Sequence, residues 1–208
     1  MAAKLKSVVA ERAALGFRAH SGWTCVVALA GSLREPAVLV RCRMETADAA
    51  IPGSKQPYHA AERLDAEKAE ALIRTCRDSS ARLASEGVRD LVARLAGNGH
   101  RVVGSGILFA SGRPLPDVAA ILQSHALIHT AEGEFYRQIL VEASEQCSLP
   151  VTRVREREVW DRGAAVLRLG SADLQRRIGE LGRSLGPPWR QDEKLASLAA
   201  WIALAEAG

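Results

Sequence analysis

His125, His129, Glu132 and Tyr136 follow one another at intervals of four, three and four residues in the stretch Asp117 to Cys147. On a helix of about 3.6 residues per turn, that spacing aligns all four side chains in one row. The stretch also carries an apolar stripe, Val118, Ile121, Leu122, Ile128, Phe135, Ile139, Leu140 and Ala143. The polar row falls inside it and is therefore expected to face the core. Gln123, Glu134, Arg137 and Glu145 lie on the opposite, solvated face. Polar groups on a core face are costly unless they find partners or shift their pKa. Two arrangements meet that requirement. One is a closed network, for instance His129 paired with Glu132. The other is a pocket in which His125, His129 and Glu132 hold a metal ion or exchange protons. The expected catalytic set is His125, His129, Glu132 and Tyr136, with Asp192 from a later helix; no cofactor is identified.

Weaker candidates lie elsewhere. Gly104-Ser105-Gly106 and Ser111-Gly112-Arg113 precede the helix capped by Asp117. They could cradle a phosphate at its N-terminus, although such glycines more often let a strand end and turn. His20 sits in a glycine-containing turn and could join the row if the first strand is central. His59 opens a helix and is expected at the surface or at a cap. Arg153, Arg155 and Arg157 alternate with Glu156 and Glu158 nearby, which fits a solvated face better than a nucleic-acid groove. No strained nucleophile elbow, Walker-type loop or dinucleotide fingerprint occurs.

The elements that must position these groups follow from periodicity. Ala13 to Ala19, Trp23 to Ala30 and Ala37 to Glu45 are apolar or alternating runs separated by turn residues, and predict three strands in an antiparallel meander. Tyr58 to Ala96 has helical spacing with a break expected near Gly87, and Gly97, Asn98 and Gly99 end it. His100 to Ala110 predicts a fourth strand, Asp117 to Cys147 the helix with the polar row, and Pro150 to Arg157 a fifth strand. The remainder is helical, interrupted at Gly186, Pro187 and Pro188, and closes on a helix from about Arg190 to Ala205. This order predicts an α/β fold: a mixed five-stranded sheet with helices on its faces.

The 208 residues are 48% hydrophobic and 25% charged, enough for one core, so a single domain over 1–208 is expected, with 1–12 as an extension. The net charge of +4 comes from dispersed arginines, which permits contact with nucleic acid without demanding it. Cys25, Cys42, Cys76 and Cys147 are far apart in sequence and read as buried thiols of a reducing compartment. No segment is long and apolar enough for a membrane span or signal peptide, so the cytoplasm is expected.

Leu15 to Trp23, a strand entering a glycine-containing turn, and Gln191-Asp192-Glu193-Lys194-Leu195-Ala196, an acid before an alanine-rich run, resemble the ribonuclease H-like superfamily in its Holliday-junction resolvase branch. The likeness in element order covers about Ala13 to Ala205. It implies a ribonuclease H-like core and carboxylates on the first strand, the fourth strand and the last helix that hold divalent ions. Here Arg18 matches the first-strand acid, the fourth strand has no acid, and Asp192, with Glu193 beside it, is the one counterpart. The resulting expectation is a ribonuclease H-like domain that is not a metal-dependent nuclease and acts as a nucleic-acid or protein binding module. The competing expectation is an enzyme or metal-binding protein that uses His125, His129 and Glu132. A third is a homodimer that buries Trp189 and Trp201 across its interface.

Overall fold

The computed structural model describes residues 10–110 and 114–207. Three strands, β1 (Glu11–His20), β2 (Trp23–Gly31) and β3 (Pro36–Glu45), form the antiparallel meander. Gly22, at φ 83°, supplies the left-handed conformation that the β1–β2 turn requires. Next come α1 (Pro57–Ala61), α2 (Ala66–Gly97) and β4 (His100–Phe109), then α3 (Val118–Leu122), α4 (His125–Gln146) and β5 (Val151–Arg155). A 3-10 turn (Glu156–Glu158) leads to α5 (Val159–Leu167) and α6 (Ser171–Leu181), and a second (Arg183–Leu185) precedes α7 (Gln191–Glu206). The sheet order is β3-β2-β1-β4-β5, with β4 parallel to β1 and β5 parallel to β4. β1 is thus the central strand, and the mixed sheet matches the expected architecture.

Alternation along the strands separates two cores. Leu15, Phe17, Val26, Ala28, Ile107 and Phe109 pack with α2 and α4 on one face. Cys25, Val27, Leu29, Leu108 and Val154 pack with α5, α6 and α7 on the other. α7 crosses β1 and β4 at unusually short range because both partners are small. A Cβ at Gly16 would fall on the carbonyl of Ala196, and one at Gly106 on that of Ala199. Gly106 of Gly104-Ser105-Gly106 therefore serves strand–helix packing and not a phosphate cradle. Ser111-Gly112-Arg113 lies outside the described residues.

Several local expectations are corrected. α2 runs unbroken through Gly87, whose missing side chain makes room for Met44: a Cβ there would overlap the Met44 sulfur. α1 is separate from α2, which begins afresh at Asp65, where the carboxylate accepts from Lys68 N. The helix expected from Asp117 is two helices, because Ser124 provides a second N-cap to Leu127 N. β5 stops at Arg155, so Arg157 does not share its face; Arg155 and Arg157 both reach Glu158. Trp201 is 0% exposed within the core. Trp189 donates to Ile178 O at 2.8 Å and lies over Gly182. Trp201 is thus a core residue, and Trp189 is half-buried. All four cysteines are free; Cys25 and Cys76 are buried, Cys42 and Cys147 half-buried. No helix among the described residues is long and apolar enough to cross a membrane.

Candidate metal centre

The site is built where α1 meets the first half of α4, beside the end of β1. α1 has Pro at its first position, and the residue before it, Gln56, provides no side-chain cap. Its exposed amides are satisfied from far along the chain. Glu132 Oε1 accepts from Tyr58 N at 2.7 Å and from His59 N at 3.0 Å, and lies 3.3 Å from His59 Nδ1. A carboxylate at a helix N-terminus is favoured by both the free amides and the dipole. Glu132 is only 5% exposed, and its Oε2 is buried without a hydrogen-bond partner. Burial pushes its carboxyl up, opposed by the bonds from His59 and Tyr58. One turn on, the Tyr136 hydroxyl donates to Ser54 O and ties down the loop before α1. Burial, and then the Glu132 charge, push that phenol up.

His125 and His129 occupy the first turns of α4. Their Nε2 atoms are 3.1 Å apart. The His59 ring is 4.8 Å from that of His129 and 5.7 Å from that of His125. One nitrogen from each of the three lies within 4.8 Å of the others. The row is therefore split rather than uniformly core-facing: Glu132 and Tyr136 are buried, whereas His125 and His129 are exposed. The cause is the break at Ser124, after which the first turns of α4 meet α1 and α3 instead of the sheet. Glu132 pairs with His59 and not with His129. His59 is not a surface bystander, since its ring joins the cluster. On the supposedly solvated face, Glu134 and Arg137 are half-buried, and Arg137 Nε donates to Leu108 O at 3.1 Å. Pro57 ahead of an uncapped helix start is a sequence signal for a missing cap, but nothing local points to Glu132, 74 residues away, as its provider.

A cleft of about 250 Å³ opens beside the cluster, walled by His20, Gln56, His59, His129, Glu132 and Arg137. Its far wall belongs to a second polar group. Arg18, near the end of β1, pairs with Asp192 of α7 and, at 2.8 Å, with Glu156 Oε1. His20 stacks on Trp23 with ring centroids 4.2 Å apart and lies 3.2 Å from Asp192 Oδ2, without good hydrogen-bond geometry. Burial first, then the Arg18 cation, hold His20 below its usual pKa. Asp192 thus sits with Arg18 and outside the histidine cluster. Cys25, nearby on β2, has its thiol pushed up to about 12 by burial, which makes it a poor nucleophile.

No protein-family model and no curated protein matches the sequence. Solved structures do. RuvC of Thermus thermophilus superposes with a TM-score of 0.53 at 10% identity, over 91% of this chain and 92% of that one. The same protein, described in complex with a Holliday junction substrate, gives 0.53 and 10% over 92% and 91%. The chain therefore has the ribonuclease H-like fold. An acidic triad of the resolvase kind is not evident, since a guanidinium stands at the first-strand position and holds Asp192. The expectation of a binding module without chemistry of its own is corrected. The three histidines brought together beside a buried carboxylate form a candidate metal site, which favours the competing expectation of a His/His/Glu row.

Proposed function

We propose that this protein is a metal-dependent hydrolase whose ion is held by His59, His125 and His129, with Glu132 behind His59. The observation that carries the proposal is the convergence of three imidazole nitrogens within 4.8 Å on a carboxylate-backed histidine. In tetrahedral zinc sites, metal–nitrogen distances of about 2.0–2.1 Å place neighbouring ligand nitrogens roughly 3.4 Å apart. The 3.1 Å between His125 and His129 is close to that value. A proton on His59 Nδ1, directed at Glu132, frees Nε2 as the ligand and fixes the ring. Imidazole ligands suit zinc and its neighbours better than magnesium or calcium. Three protein ligands on an exposed rim leave a coordination position for water, and an ion there lowers the water's pKa towards neutrality. His59 takes the place of Glu132 as the expected third ligand beside His125 and His129, and Glu132 supports His59 from behind.

A nucleic-acid partner is supported by the fold shared with a resolvase solved on a Holliday junction and by the net charge of +4. Four free cysteines support a reducing compartment such as the cytoplasm. Calorimetric titration of chelator-treated protein with zinc tests the metal reading. One equivalent is expected to bind, and His59→Ala, His125→Ala and His129→Ala are each expected to weaken it at least tenfold. Absence of zinc, cobalt and manganese binding in the folded parent refutes it.

A further inference from the structure

We infer that the substrate of this site is a phosphate monoester whose phosphoryl group lies between the histidine cluster and Arg137; the inference rests on the metal reading above. Three features of the cleft support it. The first is size. The cleft's volume of about 250 Å³ has room for one tetrahedral oxyanion beside the histidines.

The second feature is the guanidinium. Arg137 has a side chain only 16% exposed. Nε is fixed to Leu108 O at 3.1 Å and Nη1 approaches Glu134 Oε1 at 3.5 Å, while Nη2 has no acceptor among the described residues. A planar fork of donors held in place is the group that recognises a phosphate oxyanion. Gly133 makes that placement possible, because a Cβ there would lie 2.7 Å from Arg137 Nη1. Both residues line the cleft with His59 and His129.

The third feature is depth. Glu132 and Tyr136 are buried at the floor, and Ser21, Gln56 and His129 are exposed at the rim. A phosphoryl group with a single ester substituent can enter over that rim and leave its alcohol portion outside. In the reaction, a water oxygen bonds to phosphorus, the ester P–O bond breaks, and the proton given up by the water ends on the departing alcohol. The products are the alcohol and inorganic phosphate. The shared chemistry fits either a small metabolite-like ester or the terminal phosphate of a nucleic-acid strand.

Inorganic phosphate is the probe, titrated calorimetrically into the zinc-loaded and the metal-free protein. Binding is expected in the zinc-loaded parent, weakened at least tenfold in Arg137→Gln and partly restored in Arg137→Lys, with zinc affinity unchanged. Gly133→Ala is the second variant: it displaces the guanidinium without removing it, suits a helix better than glycine, and is expected to weaken phosphate binding while the protein stays folded. Phosphate binding that is absent from both forms, or equal in the parent, Arg137→Gln and Gly133→Ala, overturns the inference. If zinc does not bind but phosphate binding to the metal-free protein still depends on Arg137, the metal reading fails and the anion site stands. Phosphate release from p-nitrophenyl phosphate, set beside release from an oligonucleotide with a 5′-phosphate, distinguishes the two sources. Release from neither by the zinc-loaded protein overturns the assignment of a monoester substrate.

Discussion

Replacing Glu132 with alanine separates the architectural part of the site from its chemical part. The carboxylate accepts two main-chain N–H bonds, at 2.7 and 3.0 Å, and contacts His59 Nδ1. Hydrogen bonds to a charged group contribute about 1.5–3 kcal/mol each. Against this, removing a buried carboxylate with one unpartnered oxygen relieves a desolvation cost, and water can reach part of α1. The net loss is expected at about 3 kcal/mol. For a chain of this length that corresponds to a fall in Tm of roughly 6–12 °C. His129→Ala removes only exposed contacts and is expected to cost about 1 kcal/mol or less. Both variants should lose zinc affinity, by roughly 10–100-fold for Glu132 acting behind His59 and further for His129 acting as a ligand. Thermal and urea denaturation of the metal-free proteins, with zinc titration alongside, measure these quantities. A Tm change under about 2 °C for Glu132→Ala refutes the cap. A loss for His129→Ala as large as that for Glu132→Ala refutes the open site and makes the histidine row a structural element.

Three further outcomes are expected. Gly106→Ala forces a Cβ into the main chain of α7 at Ala199, and because neither backbone can yield it should cost about 3 kcal/mol or more, read by chemical denaturation; near-parental stability would show that the strand–helix contact is looser than described. His20 is held below its ordinary value of 6.5 in the folded chain. The unfolded chain therefore takes up a proton first as pH falls below 6.5, and stability should decline there by at most about 1.4 kcal/mol per pH unit. His20→Asn should flatten that part of the profile relative to the parent; parallel curves would contradict the shift. Arg18→Ala removes a cation that lowers His20, so the imidazole should titrate at higher pH by NMR, and an unchanged midpoint would count against the Arg18–Asp192–His20 arrangement.

The strands and their order were legible because a half-buried or fully buried strand must write its environment into short runs of apolar residues, as Trp23–Gly31 does. The helix start at Asp117 was legible because its cap is local, the carboxylate accepting from Ala120 N within its own turn. The intervals linking His125, His129, Glu132 and Tyr136 were likewise enough to single out α4, since helical geometry alone aligns them. Tertiary structure decided what that row means. The break at Ser124 had a visible signal in a capping residue, yet the apolar stripe runs across it, and only the packing of α1 and α3 shows that the first turns leave the sheet. Gly87 looked like a helix breaker; its cost is offset by Met44, which arrives from a strand 43 residues earlier. His59 was out of reach for the same reason: the acceptor for its amide and ring is a carboxylate on another helix. Local sequence determines dihedral preference and periodicity, which act over a few residues. Pairing of buried charges acts over a few ångströms of space, and which residues share that space is decided when the chain has folded.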